Sequence, residues 1–212
     1  MASVTTEGII LKRNNFGEAD RMITALTDRF GKIAIVARGV RRITSRRAGN
    51  VEILNRVSLH LFKGKNYTLT EAQSLETFPV IKSQLTLSTI AFHLIELTDK
   101  ILVDDSPNHQ AYNLLLTALR FLEVNPRQIF VRAYEIKMLS LAGFWSVERM
   151  HEVDDDTRDL LTKLEEQTFN EIAEIELTEK QAVEIEHILR FYMEETLETS
   201  LKSLQVLRQL KR

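Results

Sequence analysis

A chain of 212 residues with 44% hydrophobic and 27% charged side chains can bury a full core, and it holds no apolar run near the ~18 residues that a membrane span needs. Zero cysteines exclude disulfides, thiolate catalysis and cysteine-bound zinc or iron–sulfur sites, and Met1-Ala2-Ser3-Val4-Thr5-Thr6-Glu7 lacks the profile of a secretory signal, so a cytoplasmic protein is expected. The net charge of −2 hides an asymmetry, since residues 1–82 carry 14 Lys+Arg against 7 Asp+Glu while residues 83–212 carry 14 against 23, which points to two modules with a polyanion on the first.

Period-two patterning opens the chain. Ile9 and Leu11 alternate with Gly8, Ile10 and Lys12, and Met22, Thr24 and Leu26 alternate with Ile23 and Ala25. Ile33, Ile35 and Ala37 follow a turn at Asp28-Arg29-Phe30-Gly31. Val57, Leu59 and Leu61 alternate with Ser58, His60 and Phe62, Lys63-Gly64-Lys65-Asn66 reads as a hairpin loop, and Tyr67 to Ser74 returns as a further strand. Short β-branched strands joined by Gly-bearing turns predict a small barrel or sandwich. Five of them suit an OB-type barrel, whose open face and loops commonly hold nucleic acid.

Near Phe78-Pro79 the period changes. Ile90, Leu94, Leu97 and Ile101 share one helical stripe, as do Ala111, Leu114, Leu115, Ala118 and Leu122, with a break at Asp104-Asp105-Ser106-Pro107-Asn108. Asn125-Pro126-Arg127-Gln128 reads as a helix start with Asn125 as cap, and that helix should stop near Gly143. Met150 to Asp156 reads as an acidic loop. Thr178-Glu179-Lys180-Gln181 repeats the capping pattern before a helix through Ala182, Ile185, Leu189 and Tyr192, and Ser200 to Arg212 reads as a further helix packed through Leu201, Leu204 and Leu207. The predicted architecture is α+β: an N-terminal OB-fold β-barrel over residues 1–79, then an all-α C-terminal domain over residues 80–212.

Between Asp28 and Glu52 no acidic residue occurs, but Arg29, Lys32, Arg38, Arg41, Arg42, Arg46 and Arg47 do. Cations this close repel one another unless an anion sits among them, and the planar guanidinium fork suits phosphate oxygens. Lys12 and Arg13 at the end of the first strand, and Lys63 and Lys65 in the hairpin, extend the same predicted surface. A solvated loop is the plain alternative, yet mixed charge would serve solubility as well. The predicted DNA-binding set is therefore Lys12, Arg13, Arg38, Arg41, Arg42, Arg46, Arg47, Lys63 and Lys65. Backbone-led contacts of this kind tolerate single and double strands and weaken steeply with salt. Phe16, Phe30, Phe62 and Tyr67 could stack on bases, although apolar rings at strand positions are read first as core.

The N-terminal blocks resemble the RecO family of bacterial recombination mediators. They are Thr6-Glu7-Gly8-Ile9-Ile10-Leu11-Lys12, Phe16-Gly17-Glu18-Ala19-Asp20-Arg21, Leu26-Thr27, Gly31-Lys32, Ala37-Arg38-Gly39-Val40-Arg41-Arg42, Ser45-Arg46 and Gly49. The resemblance implies an OB-fold domain followed by a helical one, and binding to single- and double-stranded DNA with annealing of complementary strands. It also implies a complex with RecR, contact with the tail of single-strand DNA-binding protein, and indirect help in loading RecA during gap repair. The family's basic residues map onto Arg38, Arg41, Arg42 and Arg46, and the turn at Gly17, Glu18, Asp20 and Arg21 is read as structural. One departure is that many members carry a cysteine-rich zinc lobe after the helix that ends here at Leu141-Ala142-Gly143, whereas this chain has only Phe144 to Asp156 there and no cysteine. No zinc, other metal or cofactor is expected.

Other sites are set aside. His60, His93, His109, His151 and His187 are scattered and read as surface or core histidines. The run His151-Glu152-Val153-Asp154-Asp155-Asp156 lacks the glycine and terminal glutamate of a calcium loop. No Gly-rich phosphate loop and no nucleophile–base arrangement occurs, so no catalysis is expected. Phe92, Phe130, Tyr134 and Phe144 read as core, and Trp145, just after the expected helix end, is the one ring of the five not assigned to it. Two rival readings remain: an RNA-binding OB-fold module with a helical partner-binding domain, and a nuclease, which the missing carboxylate or histidine cluster disfavours.

Overall fold

Five strands form a closed ring in the order β1-β2-β3-β5-β4. They are β1 (Ala2–Phe16), β2 (Asp20–Thr27), β3 (Gly31–Ala37), β4 (Arg56–Lys63) and β5 (Tyr67–Glu76). The structure, a computed structural model, describes residues 2–45, 47–147 and 153–197. All pairings are antiparallel except the short parallel β3–β5 seam at Ile35–Tyr67 and Val36–Thr68, which closes the ring. This is the OB-fold-like arrangement predicted from the strand count.

The long β1 serves two neighbours. Its first half pairs with β4 and its second half with β2, and Gly8 belongs to both ladders, opposite Val57 and Thr27. A Cβ at Gly8 would meet the Leu59 side chain at 3.1 Å and that of Thr27 at 3.2 Å. A side chain there would crowd the corner where the strand changes partners.

Ile10, Ile23, Ala25, Ile33, Ile35, Val57, Leu59, Leu61 and Leu69 form the barrel core. In β2 the inward phase is Ile23 and Ala25, with Met22 and Thr24 half-buried. In β1 the expected alternation fails, because Gly8 through Leu11 are all buried and a bulge shifts the register between Ile10 and Lys12.

Arg56 on β4 donates to the carboxylates of Glu7 on β1 and Glu76 on β5, and to the Tyr112 hydroxyl. Burial opposes its charge, but the bonds to Glu7, Tyr112 and Glu76 outweigh that and raise its pKa. Burial likewise raises the Tyr112 phenol.

The chain divides into two compact units, Met1–Pro79 with Leu102–Asn113, and Val80–Ile101 with Leu114–Arg212. The segment after Ile101 thus groups with the barrel. Lys32 forms an ion pair with Asp104 at 3.0 Å and accepts the Asp105 N–H at its carbonyl, 2.8 Å away.

The helical elements are α1 (Pro79–Ser83), α2 (Leu85–Ile101), α3 (His109–Val124), α4 (Gln128–Leu141), α5 (Asp155–Glu166), α6 (Phe169–Ala173) and α7 (Glu179–Leu197). The predicted stripe Ile90, Leu94, Leu97 and Ile101 is buried on α2. Within the second unit, α4 packs against α2, α5, α6 and α7. It is accordingly buried on nearly every face, from Ile129 to Leu139.

That central helix carries a buried ionic chain. Glu135 accepts from Arg132 at 2.8 Å and lies 2.6 Å from the His93 ring on α2, while Arg132 also reaches Glu186 on α7 at 3.2 Å. Burial pushes the Glu135 carboxyl up, but the Arg132 charge and the His93 bond prevail and hold it below the usual carboxylate range. Lys137 of α4 and Arg127 at its N-cap also finish neighbouring helices. Lys137 donates to the carbonyls of Glu165 and Gln167 at the end of α5, and Arg127 to those of Ala173, which ends α6, and of Ile175 just beyond it.

Several sequence expectations need correction. The α4 cap is Arg127, without a side-chain capping bond, rather than Asn125, because the Arg127 guanidinium is committed to α6. The acidic stretch ends as a helix start. Asp154 caps Thr157 while Asp155 and Asp156 occupy the first turn, where negative charge meets the positive end of the helix dipole. The helices α5 and α6 had no counterpart in the sequence reading. Phe92 and Phe144 are exposed rather than core, while Trp145 is buried and donates to Glu165 at 3.1 Å. The cap at Thr178 is as expected, with reciprocal bonds to Gln181. The expected tail helix at 200–212 lies outside the described residues.

Candidate nucleic-acid interface

The β3–β4 connection, residues 38–55, holds the arginine run, and the fold pins this long loop at several points. Val40 and Val51 are buried in the barrel cluster. Asn50 donates to the Ala72 carbonyl at 3.0 Å and accepts the Ser74 N–H at 3.2 Å, and the buried Asn55 amide bonds back to the carbonyls of Gly49 and Asn50. Arg47 is the main brace. Its guanidinium donates to the carbonyls of Leu69 at 2.9 Å, Thr70 at 3.4 Å and Arg38 at 2.8 Å. The loop is tied to β5 by the very residue type that was expected to bind phosphate.

The same loop is tied to the β1–β2 turn. Asp20 accepts the Gly39 N–H at 2.7 Å, the Arg41 N–H donates to Ala19 at 2.9 Å, and the Arg41 side chain donates to the Gly17 carbonyl at 3.2 Å. The turn motif therefore positions the arginine loop. Arg21 reaches Glu52 at 3.8 Å.

These ties shape a pocket of about 570 Å³ lined by Asp20, Arg38, Gly39, Arg42, Thr44, Ser45 and Arg47. Arg38, Arg41 and Arg42 are exposed. The Ser45 hydroxyl in the pocket wall is buried with no hydrogen-bond partner among the described residues.

A second cleft, of about 330 Å³, lies at the other end of β3 and is lined by Phe30, Lys63, Gly64, Lys65, Asn66, Tyr67, Asp105 and Pro107. Lys63 sits over both the Phe30 and Tyr67 rings, 5.6 and 5.4 Å from their centroids, and Arg29 sits 5.5 Å from Phe30. The rings thus orient cations.

The structure sorts the nine predicted residues. Arg38, Arg42 and Arg47 come together in the first pocket, Arg41 flanks it, and Lys63 and Lys65 line the second. Lys12 is exposed on β1. Arg13 is paired with Glu52, and Arg46 lies outside the described residues. Phe30 and Tyr67, read from the sequence as core rings or base platforms, instead line the second cleft beneath Lys63, and Arg29 lies over the Phe30 ring. Arg29 belonged to the legible acid-free run, but nothing local marked the two rings as cation carriers.

Together these features define an α+β protein with an OB-fold-like barrel whose loop ends present cations, followed by a helical part. Residues 1–78 match the family model described as Recombination protein O N terminal, and residues 82–145 match Recombination protein O C terminal. The chain belongs to the recombination protein O (RecO) family. It is similar to proteins named DNA repair protein RecO from Roseiflexus sp. (35% identity over 66% of this chain and 50% of that one), Acetivibrio thermocellus (34%, 68% and 59%) and Symbiobacterium thermophilum (33%, 68% and 58%). The matches thus span about half to three-fifths of the length of these relatives. Among the described residues no helix is long and apolar enough to cross a membrane.

Proposed function

We propose that this protein is a DNA-binding recombination mediator that acts in DNA repair at gaps without catalysing a covalent step. In this reading it works in the cytoplasm, anneals complementary strands, and helps load RecA onto single-stranded DNA together with RecR, while engaging the tail of single-strand DNA-binding protein. The observation that supports it most is the arginine pocket: exposed Arg38 and Arg42 line it together, on a loop braced by Arg47. Guanidinium groups held on a pinned loop meet a sugar-phosphate chain without ordering the loop first, and contacts to phosphate carry little sequence preference. Names of the relatives and family membership supply the repair context.

A strand-annealing assay with and without RecR and single-strand DNA-binding protein tests the proposal. The wild-type chain is expected to accelerate annealing, and the triple variant Arg38→Glu, Arg41→Glu, Arg42→Glu to lose both DNA binding and annealing while keeping its circular-dichroism spectrum. A folded triple variant with wild-type affinity would overturn it.

A further inference from the structure

The β3–β4 connection buries two of its branched apolar side chains, Val40 and Val51, yet leaves Ile43 between them fully in solvent at 105% relative exposure. Phe16, the last residue of β1 at the hairpin tip, is 57% exposed. Neither side chain is needed by the barrel core. The two loops are joined at Arg41, whose N–H and guanidinium bond the carbonyls of Ala19 and Gly17. Phe16 adjoins Gly17 in the chain, and Ile43 lies two residues beyond Arg41, a reach of at most about 7 Å along the backbone. Exposed apolar groups therefore flank the tie at which exposed arginines gather. By contrast, cations lie over the rings of Phe30 and Tyr67, which disposes those rings less well to stack on a base.

We propose that Phe16 and Ile43 take up unstacked bases of single-stranded DNA while Arg38, Arg41 and Arg42 hold its phosphates. This rests on the phosphate-binding reading of the arginine pocket and adds what that pocket cannot supply, a preference for unpaired DNA. Phosphates are presented by single strands and duplexes alike, whereas base faces are open to an aromatic ring only where pairing is absent. A branched aliphatic side chain beside the ring can occupy the gap between splayed bases, as apolar wedges do between base steps.

The test compares Phe16→Ala, Ile43→Ser, Phe16→Tyr and the arginine triple variant on a 30-nucleotide single strand and its 30-base-pair duplex, by fluorescence anisotropy across a sodium chloride series. Phe16→Ala is expected to lower the single-strand to duplex affinity ratio by about tenfold, within the range for loss of one base–aromatic stack. Its salt slope should stay at the wild-type value, because no cation is removed. Ile43→Ser is expected to lower the ratio in the same direction, and Phe16→Tyr to retain it. A 2-aminopurine placed in the single strand should be quenched by wild type and less so by Phe16→Ala. If the arginine triple variant loses binding but Phe16→Ala and Ile43→Ser keep the wild-type ratio, the base-contact inference alone is overturned. If the triple variant binds like wild type, the phosphate reading fails and this inference falls with it.

Discussion

Five arginines crowd positions 38–47, and the structure divides the labour among those it describes. Arg47 spends its guanidinium on three backbone carbonyls, while Arg38 and Arg42 face the pocket. Replacing Arg38 and Arg42 with Gln, or Arg47 with Ala, should therefore give opposite signatures. If Arg38, Arg41, Arg42, Lys63 and Lys65 each meet one phosphate, a single strand loses about 0.7 per contact in the logarithmic salt slope, or about 3.5 in all. Affinity then falls about 100-fold between about 50 and 200 mM salt. The Arg38→Gln, Arg42→Gln variant should show a slope near 2 and a fall of about 20-fold over the same range, with stability within about 0.5 kcal/mol of wild type. Arg47→Ala should keep the slope and lose about 2 kcal/mol in urea unfolding, since it frees three carbonyl acceptors of the loop and β5. Anisotropy titrations and urea melts on the same preparations decide the matter. An Arg47→Ala protein with unchanged stability and a reduced slope would refute the division between brace and ligand.

Two further predictions concern packing, one in each unit. Glu135→Gln should cost about 3 kcal/mol, because Arg132 is left buried with only part of its compensation. The wild-type carboxyl is held below its ordinary value of 4.5 in the folded state. Its contribution is therefore complete above that pH and lost as the pH falls through the folded pKa, so the acid limb of the stability curve should flatten in the variant; equal limbs would disprove the role. Gly31→Ala should destabilise the barrel by about 3 kcal/mol or more, measured by thermal unfolding. Gly31 has φ +69° and a Cβ there would lie 1.9 Å from the Ser106 carbonyl oxygen, so a variant as stable as wild type would show that the segment after Ile101 does not pack there.

The sequence was most legible where one local rule governs. Alternation at Val57, Leu59 and Leu61 matches the buried face of β4, and Thr178 with Gln181 matches the observed capping bonds, because both depend on neighbours a few residues away. Legibility failed where a distant partner took over. Asn125 offered a good cap, but Arg127 is anchored to Ala173 and Ile175, 46 and 48 positions on. Trp145 looked free after a helix end, yet Glu165 accepts its indole N–H.

Charge segregation, the strand alternation of β4, the switch to helical periodicity and the family blocks were all set by the order of residues alone, because each is a local pattern of polarity or side-chain type. Which arginine braces and which faces solvent was decided only by tertiary structure. Arg38, Arg42 and Arg47 are chemically identical, and only the folding of β5 beside the loop brings the Leu69 and Thr70 carbonyls within reach of one of them. Exposure of Phe16 and Ile43 arises the same way, from a barrel whose interior is already filled by other apolar side chains.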